Sequence, residues 1–220
     1  MPPPTLSATL PDWMGPWLAM IGFGAFHGLN PGMGWLFALS LGLQHNSGRA
    51  VWIALFPIAA GHAASVAVVA GLVLAGLHFV SLSALQWITA FLLIAFGTYK
   101  LFNYYRHPRW VGMKVGPGDL FAWSFLMATA HGAGLMVIPA LLGVATANHG
   151  HGPPDTNSLT DVLLAVGVHT LVMWLVMGAV AWIVYRKLGL AVLRRKWINF
   201  DLIWAVSLLV VGGIALATAL

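Results

Sequence analysis

Apolar residues along the chain gather into six stretches, 16–43, 50–77, 83–102, 119–145, 159–185 and 198–220. A bilayer-crossing helix needs about 20 such residues, so each stretch is long enough to span. Pro16 and Asp119 stand where helices start well. A first-turn proline gives up an N–H that has no intrahelical partner, and an acid there meets the positive end of the helix dipole. Trp13, Trp17, Tyr104, Tyr105, Trp110 and Trp197 fall near the ends of stretches, at the depth of an interfacial aromatic belt. The pattern predicts an all-α integral membrane protein with six transmembrane helices.

Composition agrees. The chain is 60% hydrophobic and 7% charged, with a mean hydropathy of +0.88; a soluble fold of this size needs more polar surface. There is no cysteine, which excludes disulfides and thiolate metal sites. The first 15 residues carry no Lys or Arg, so they lack the basic start of a cleaved signal peptide.

The net charge of +5 matters through its placement rather than as a hint of nucleic acid. Arg49 lies in the first loop. Lys100, Arg106, Arg109 and Lys114 lie around the third, and Arg186, Lys187, Arg194, Arg195 and Lys196 around the fifth. By the positive-inside rule the odd loops are cytoplasmic and both termini extracytoplasmic, in a multi-pass protein of the plasma (inner) membrane. Residues 1–15 then form an outer segment, 16–102 and 119–220 two groups of three spans, and 103–118 a basic, aromatic linker suited to the anionic inner leaflet.

One stretch breaks the apolar pattern from within. His27-Gly28-Leu29-Asn30-Pro31-Gly32-Met33-Gly34 sits mid-way through the first span. Proline removes a backbone donor and frees a carbonyl, so a broken helix is expected, with Pro31, Gly32 and Gly34 as its hinge. His27 and Asn30 share a helix face. Polar side chains beside bare backbone at mid-bilayer depth mark the binding sites of transporters.

The chain also echoes itself. His27-Gly28 is matched by His131-Gly132, His62 by His169, Trp87 by Trp204 and Gly97 by Gly213, in one order. Three spans per half is an odd number, so the second half inserts inverted. A 3+3 inverted-topology repeat is expected, with substrate between the halves and the fourth helix as the place for a second break.

His27, His62, His131 and His169 fall at one depth, where lone imidazoles are costly; a functional cluster is expected over four separate core histidines. Imidazole ligates transition metals and exchanges protons near neutrality. Met127 and Met173 lie one helical turn from His131 and His169, and Met33 ends the signature stretch. Such methionines either fill gaps in the core or add soft ligands, in which case Cu(I) becomes a fitting ion. Asp161 is either a first-turn helix acid or part of an outer entry. His149 and His151, on the Gly/Pro-rich fourth loop, either gather cations there or are merely solvated.

The signature from His27 to Gly34 resembles the first-helix motif of the NicO-type nickel/cobalt transporters, of the lysine-exporter superfamily. That motif reads His, small, Leu, Glu, Pro, Gly, His, Gly, and His27, Leu29, Pro31, Gly32 and Gly34 match it. Gly61-His62-Ala63-Ala64-Ser65-Val66 is similar to the family's second-helix motif. Asn30 stands where the family has Glu and Met33 where it has a second His, and the family's later Pro-Cys is absent. The resemblance implies the six-span 3+3 fold and transport of Ni or Co.

The expected function is secondary transport of a transition-metal cation (Ni, Co or Cu), with His27, Asn30, His62 and His131 joining His169 around the ion and Met33, Met127 and Met173 as soft donors. No nucleotide-binding loop is present, so the drive is expected from a gradient, with proton coupling through a histidine. Neither an enzyme nor a nucleic-acid partner is expected, and a homo-oligomer is compatible with the sequence. Two other classes fit the histidines: b-type haem held by two imidazoles, and export of a small organic solute.

Overall fold

The computed structural model describes residues 11, 13–103, 116–147, 156–188 and 199–220. Among them it is all-helical: α1 (Met14–Leu29), a 3-10 turn (Pro31–Met33), α2 (Trp35–Gln44), α3 (Gly48–Gly76), α4 (Leu82–Asn103), α5 (Pro117–His131), α6 (Ala133–Ala147), α7 (Thr156–Ile183) continued by a π turn (Val184–Leu188), and α8 (Phe200–Ala219). Four of these helices are long and apolar enough to cross a membrane, and α5 with α6, bent by 72°, adds a fifth if taken as one span. Exposed Phe56, Leu72, Phe91, Leu126, Leu164 and Val210 give the bundle the apolar exterior of a multi-pass membrane protein.

Two expected spans are interrupted. The stretch 16–43 divides into α1 and α2, neither of which is long enough alone. The cause lies in the sequence. A residue before proline is pushed out of the α region, and Asn30 adopts φ −71, ψ 120. Its side-chain oxygen accepts from Gly32 N at 2.9 Å, closing an Asx turn. Gly34, at φ 114, then turns the chain into α2 with a backbone that other residues rarely adopt. In the stretch 119–145 the break is a single residue, Gly132 at φ 70, ψ 30. Asp119 acts as expected of a first-turn acid, its carboxylate accepting from Gly116 N at 2.9 Å.

The helices pair across the chain. α1 packs on α7 as α5 packs on α3, α3 meets α7, and α4 packs along α8. The α1–α7 and α3–α5 seams are close because glycine leaves room: a Cβ on Gly24 would lie 2.5 Å from the His169 carbonyl oxygen, and one on Gly28 2.7 Å from that of Met173. Small residues allow such approach where lipid supplies no hydrophobic drive. Ser124 Oγ donates to the Ile58 carbonyl at 2.7 Å, and Ser65 and Thr129 hydroxyls bond at 3.0 Å, pinning α3 to α5. These three side chains are committed to the fold. Arg49, Lys100, Arg186 and Lys187 mark one end of the bundle; the other basic residues and residues 1–10 and 12 of the outer segment lie outside the described residues, as do His149 and His151.

Candidate functional site

His62 stands midway along the 29-residue α3 and His169 midway along the 28-residue α7. His27 lies in the last turn of α1, just before the break. All three are buried, and one ring nitrogen from each lies within 4.8 Å of the others. Their ring centroids are 5.2 Å (His27–His62), 5.0 Å (His27–His169) and 5.6 Å (His62–His169) apart.

Hydrogen bonds fix the protons on two rings. A carbonyl only accepts, so His27 Nδ1 must donate to Phe23 O (2.6 Å) and His169 Nδ1 to Met20 O (3.1 Å). Each neutral ring then carries its lone pair on Nε2. His62 Nε2 faces His169 Nε2 at 3.3 Å and donates to it. Within the triad two buried nitrogens, His27 Nε2 and His62 Nδ1, have no partner, and on α7 neither do Thr170 Oγ1 and Trp174 Nε1. A tetrahedral ion with bonds of about 2.0–2.1 Å holds its nitrogens roughly 3.3–3.4 Å apart, the spacing of the His62–His169 pair. A carbonyl behind a ligating imidazole is also what orients metal-bound histidines in general.

The triad is sealed above and below. Along the chain it lies between Met20 of α1 and Met33 of the 3-10 turn, on α3 between Ala59 and Val66, and on α7 between Val166 and Met173. Met20, Val66 and Val166 belong to one packed apolar cluster, which also takes in Val137, Leu141 and Val162. Met33, Ala59 and Met173 belong to another, which reaches the basic end through Val51, Leu55 and Val184.

No family model, no curated protein and no solved structure matches this chain.

His131 does not join the other three. It ends α5, and its Nδ1 donates to the Met127 carbonyl at 2.9 Å, so what Met127 supplies is its backbone and not its sulfur. The Trp204 indole, from α8, is edge-on to both His27 (4.9 Å) and His131 (5.8 Å), stacks on Phe26, and donates Nε1–H to the His131 carbonyl. The far side of His131 meets the first break, where a Cβ on Gly32 would lie 3.8 Å from its Nε2. Asn30 is buried there with its oxygen used by Gly32, so it shapes the hinge instead of facing the triad. Met33 and Met173 are buried beside the site. Asp161 is half-buried on α7, eight residues before His169 and so about 12 Å away along the axis.

Sequence reasoning missed Trp204 as a site residue and missed the carbonyls of Phe23 and Met20. The first of these carbonyls is one turn before His27 and follows from helix geometry. The second reaches His169 only because α1 lies against α7, which Gly24 and Gly28 permit.

Proposed function

We propose that this protein is a secondary transporter that moves a transition-metal cation through the His27–His62–His169 triad at mid-bilayer depth, with its basic end cytoplasmic. The reading takes α1 with α2, and α5 with α6, as two broken spans, so that six spans form a 3+3 inverted repeat. The exchanged packing of α1 on α7 and α5 on α3 supports it. So does a shared local device: His27 and His131 each end a broken helix and each donate Nδ1–H to the carbonyl one turn back.

One observation carries the proposal. Three buried imidazoles, two from the first half of the chain and one from the second, bring nitrogens within 4.8 Å, and two of them have their lone pairs fixed by carbonyls. Ligands drawn from both halves let a movement of one half against the other open one apolar seal while the other stays shut. An ion that takes His62 Nε2 shifts its proton to the vacant Nδ1 of the same ring, which leaves all three rings neutral.

Haem fits less well. Bis-imidazole ligation sets two rings on opposite faces of a macrocycle, whereas His62 and His169 stack in contact with 3.3 Å between nitrogens. The test is metal content and uptake in proteoliposomes. The purified protein should be colourless, bind close to one ion per chain, and lose both binding and uptake in a His27→Ala variant. A red protein, or one whose metal content ignores that substitution, overturns the reading.

A further inference from the structure

The triad offers an ion three neutral nitrogens and, among the described residues, no adjoining acid. Of the acids whose side chains are described, Asp119 closes the first turn of α5, and Asp161 lies about 12 Å up α7 from His169. An ion that leaves water for such surroundings loses hydration in proportion to the square of its charge, so a dication loses about four times what a monocation of equal size does. Three imidazoles return the same donor count to either.

Coordination number points the same way. Zn(II) sites built from three histidines keep a fourth position for water or substrate. Here the Trp204 indole stands edge-on to His27, apolar clusters lie on either side, and the cavity of about 600 Å³ between α3 and α7 has a mostly apolar lining, with Ala59, Ala63 and Val166 beside Thr170. The methionines of the same packing add soft donors, while Thr170, next to His169, adds a hydroxyl. Met173 follows His169 by one turn and Met177 by two, both fully buried, and buried Met33 belongs to the same cluster. Thioethers favour soft ions such as Cu(I) and add little for Zn(II), Co(II) or Ni(II).

We propose that the triad selects a soft monovalent cation, Cu(I), over divalent transition metals, with Ag(I) binding as its redox-inert mimic. This rests on the reading of the triad as an ion site and narrows it; the cation enters and leaves in one oxidation state.

The experiment uses the full chain in detergent, carrying His149→Ala and His151→Ala to remove the loop donors. It is dialysed anaerobically against Cu(I), Ag(I), Zn(II), Co(II) or Ni(II) under competition from chelators of known affinity. Bound metal is counted by mass spectrometry. One Cu(I) or Ag(I) per chain is expected, held at least about 1,000-fold more tightly than any of the divalent ions, given the charge and softness of the site. The ranking is read with the triad intact, so it holds its value even where a His27→Ala chain does not fold. Co(II), Ni(II) or Zn(II) binding as tightly as Ag(I) overturns the proposal and leaves metal transport standing. If no ion of either charge binds, both readings fall.

Discussion

The two broken helices start from the same residues and end differently. His27-Gly28 and His131-Gly132 each close a helix, and each histidine bonds the carbonyl one turn behind it. After that they part. In the first half the chain spends Asn30 to Gly34 on an Asx turn and a 3-10 turn before α2 begins, while in the second half Gly132 alone makes the bend. His27 turns toward α3 and α7 and completes the triad. His131 is not among the three whose nitrogens converge; it meets the Trp204 ring, whose echo Trp87 stacks on Phe91. Positions that echo each other in the sequence share a backbone habit, but a neighbour from a third helix helps decide which of them reaches the centre.

The sharpest way to break that comparison is to remove each imidazole. Loss of a ligand should weaken ion binding by about 100-fold or more, and loss of a neighbour by under about 10-fold. His27→Ala is therefore expected to abolish metal retention in chelator competition, with His131→Ala close to the parent protein. Equal losses would put His131 back among the ligands.

A second contrast concerns the seams. Gly28→Ala would press a methyl against the Met173 carbonyl and Val176, whereas Gly22, on the same helix, has nothing within 4 Å of such a methyl. Thermal unfolding in detergent should show Gly28→Ala destabilised by about 1–3 kcal/mol and Gly22→Ala unchanged or stabilised by up to about 1 kcal/mol. A neutral Gly28→Ala would mean that α1 and α7 do not need this approach.

The smallest effect separates the two indoles at the breaks. Trp204 donates to the His131 carbonyl, and Trp35 donates to the Leu29 carbonyl at 3.3 Å. Phenylalanine keeps one aromatic ring and drops the donor with the rest of the indole. Trp204→Phe should cost about 1–2 kcal/mol and Trp35→Phe about 0.5–1 kcal/mol, because the shorter bond is also the more deeply buried. Denaturation midpoints in the reverse order would contradict the geometry.

Much of this was readable from residue order. Segment lengths located the helices to within a few residues, and the Asn-Pro-Gly run located the first break, because steric exclusion before proline acts locally. Counting along α3 and α7 also placed His62 and His169 at one depth. The second break was harder to read, since Gly132 bends the chain without a proline at the bend to announce it. The exclusion of His131 was not readable at all. It depends on where α8 sets the Trp204 ring, and in the sequence Trp204 is one tryptophan among eleven. Asn30 misled for a related reason: an amide next to a proline serves the turn as readily as a ligand, and only coordinates tell the two apart.

The indoles leave their mark on the chemistry of the bends. A helix that stops inside a membrane exposes oxygen dipoles of the kind that hold sodium in many carriers. Here Leu29 and His131 have each surrendered theirs to a donor that cannot accept anything in return. The hard-ion berths that such interruptions normally create are thus partly filled from within, while two ring nitrogens of the triad stay vacant.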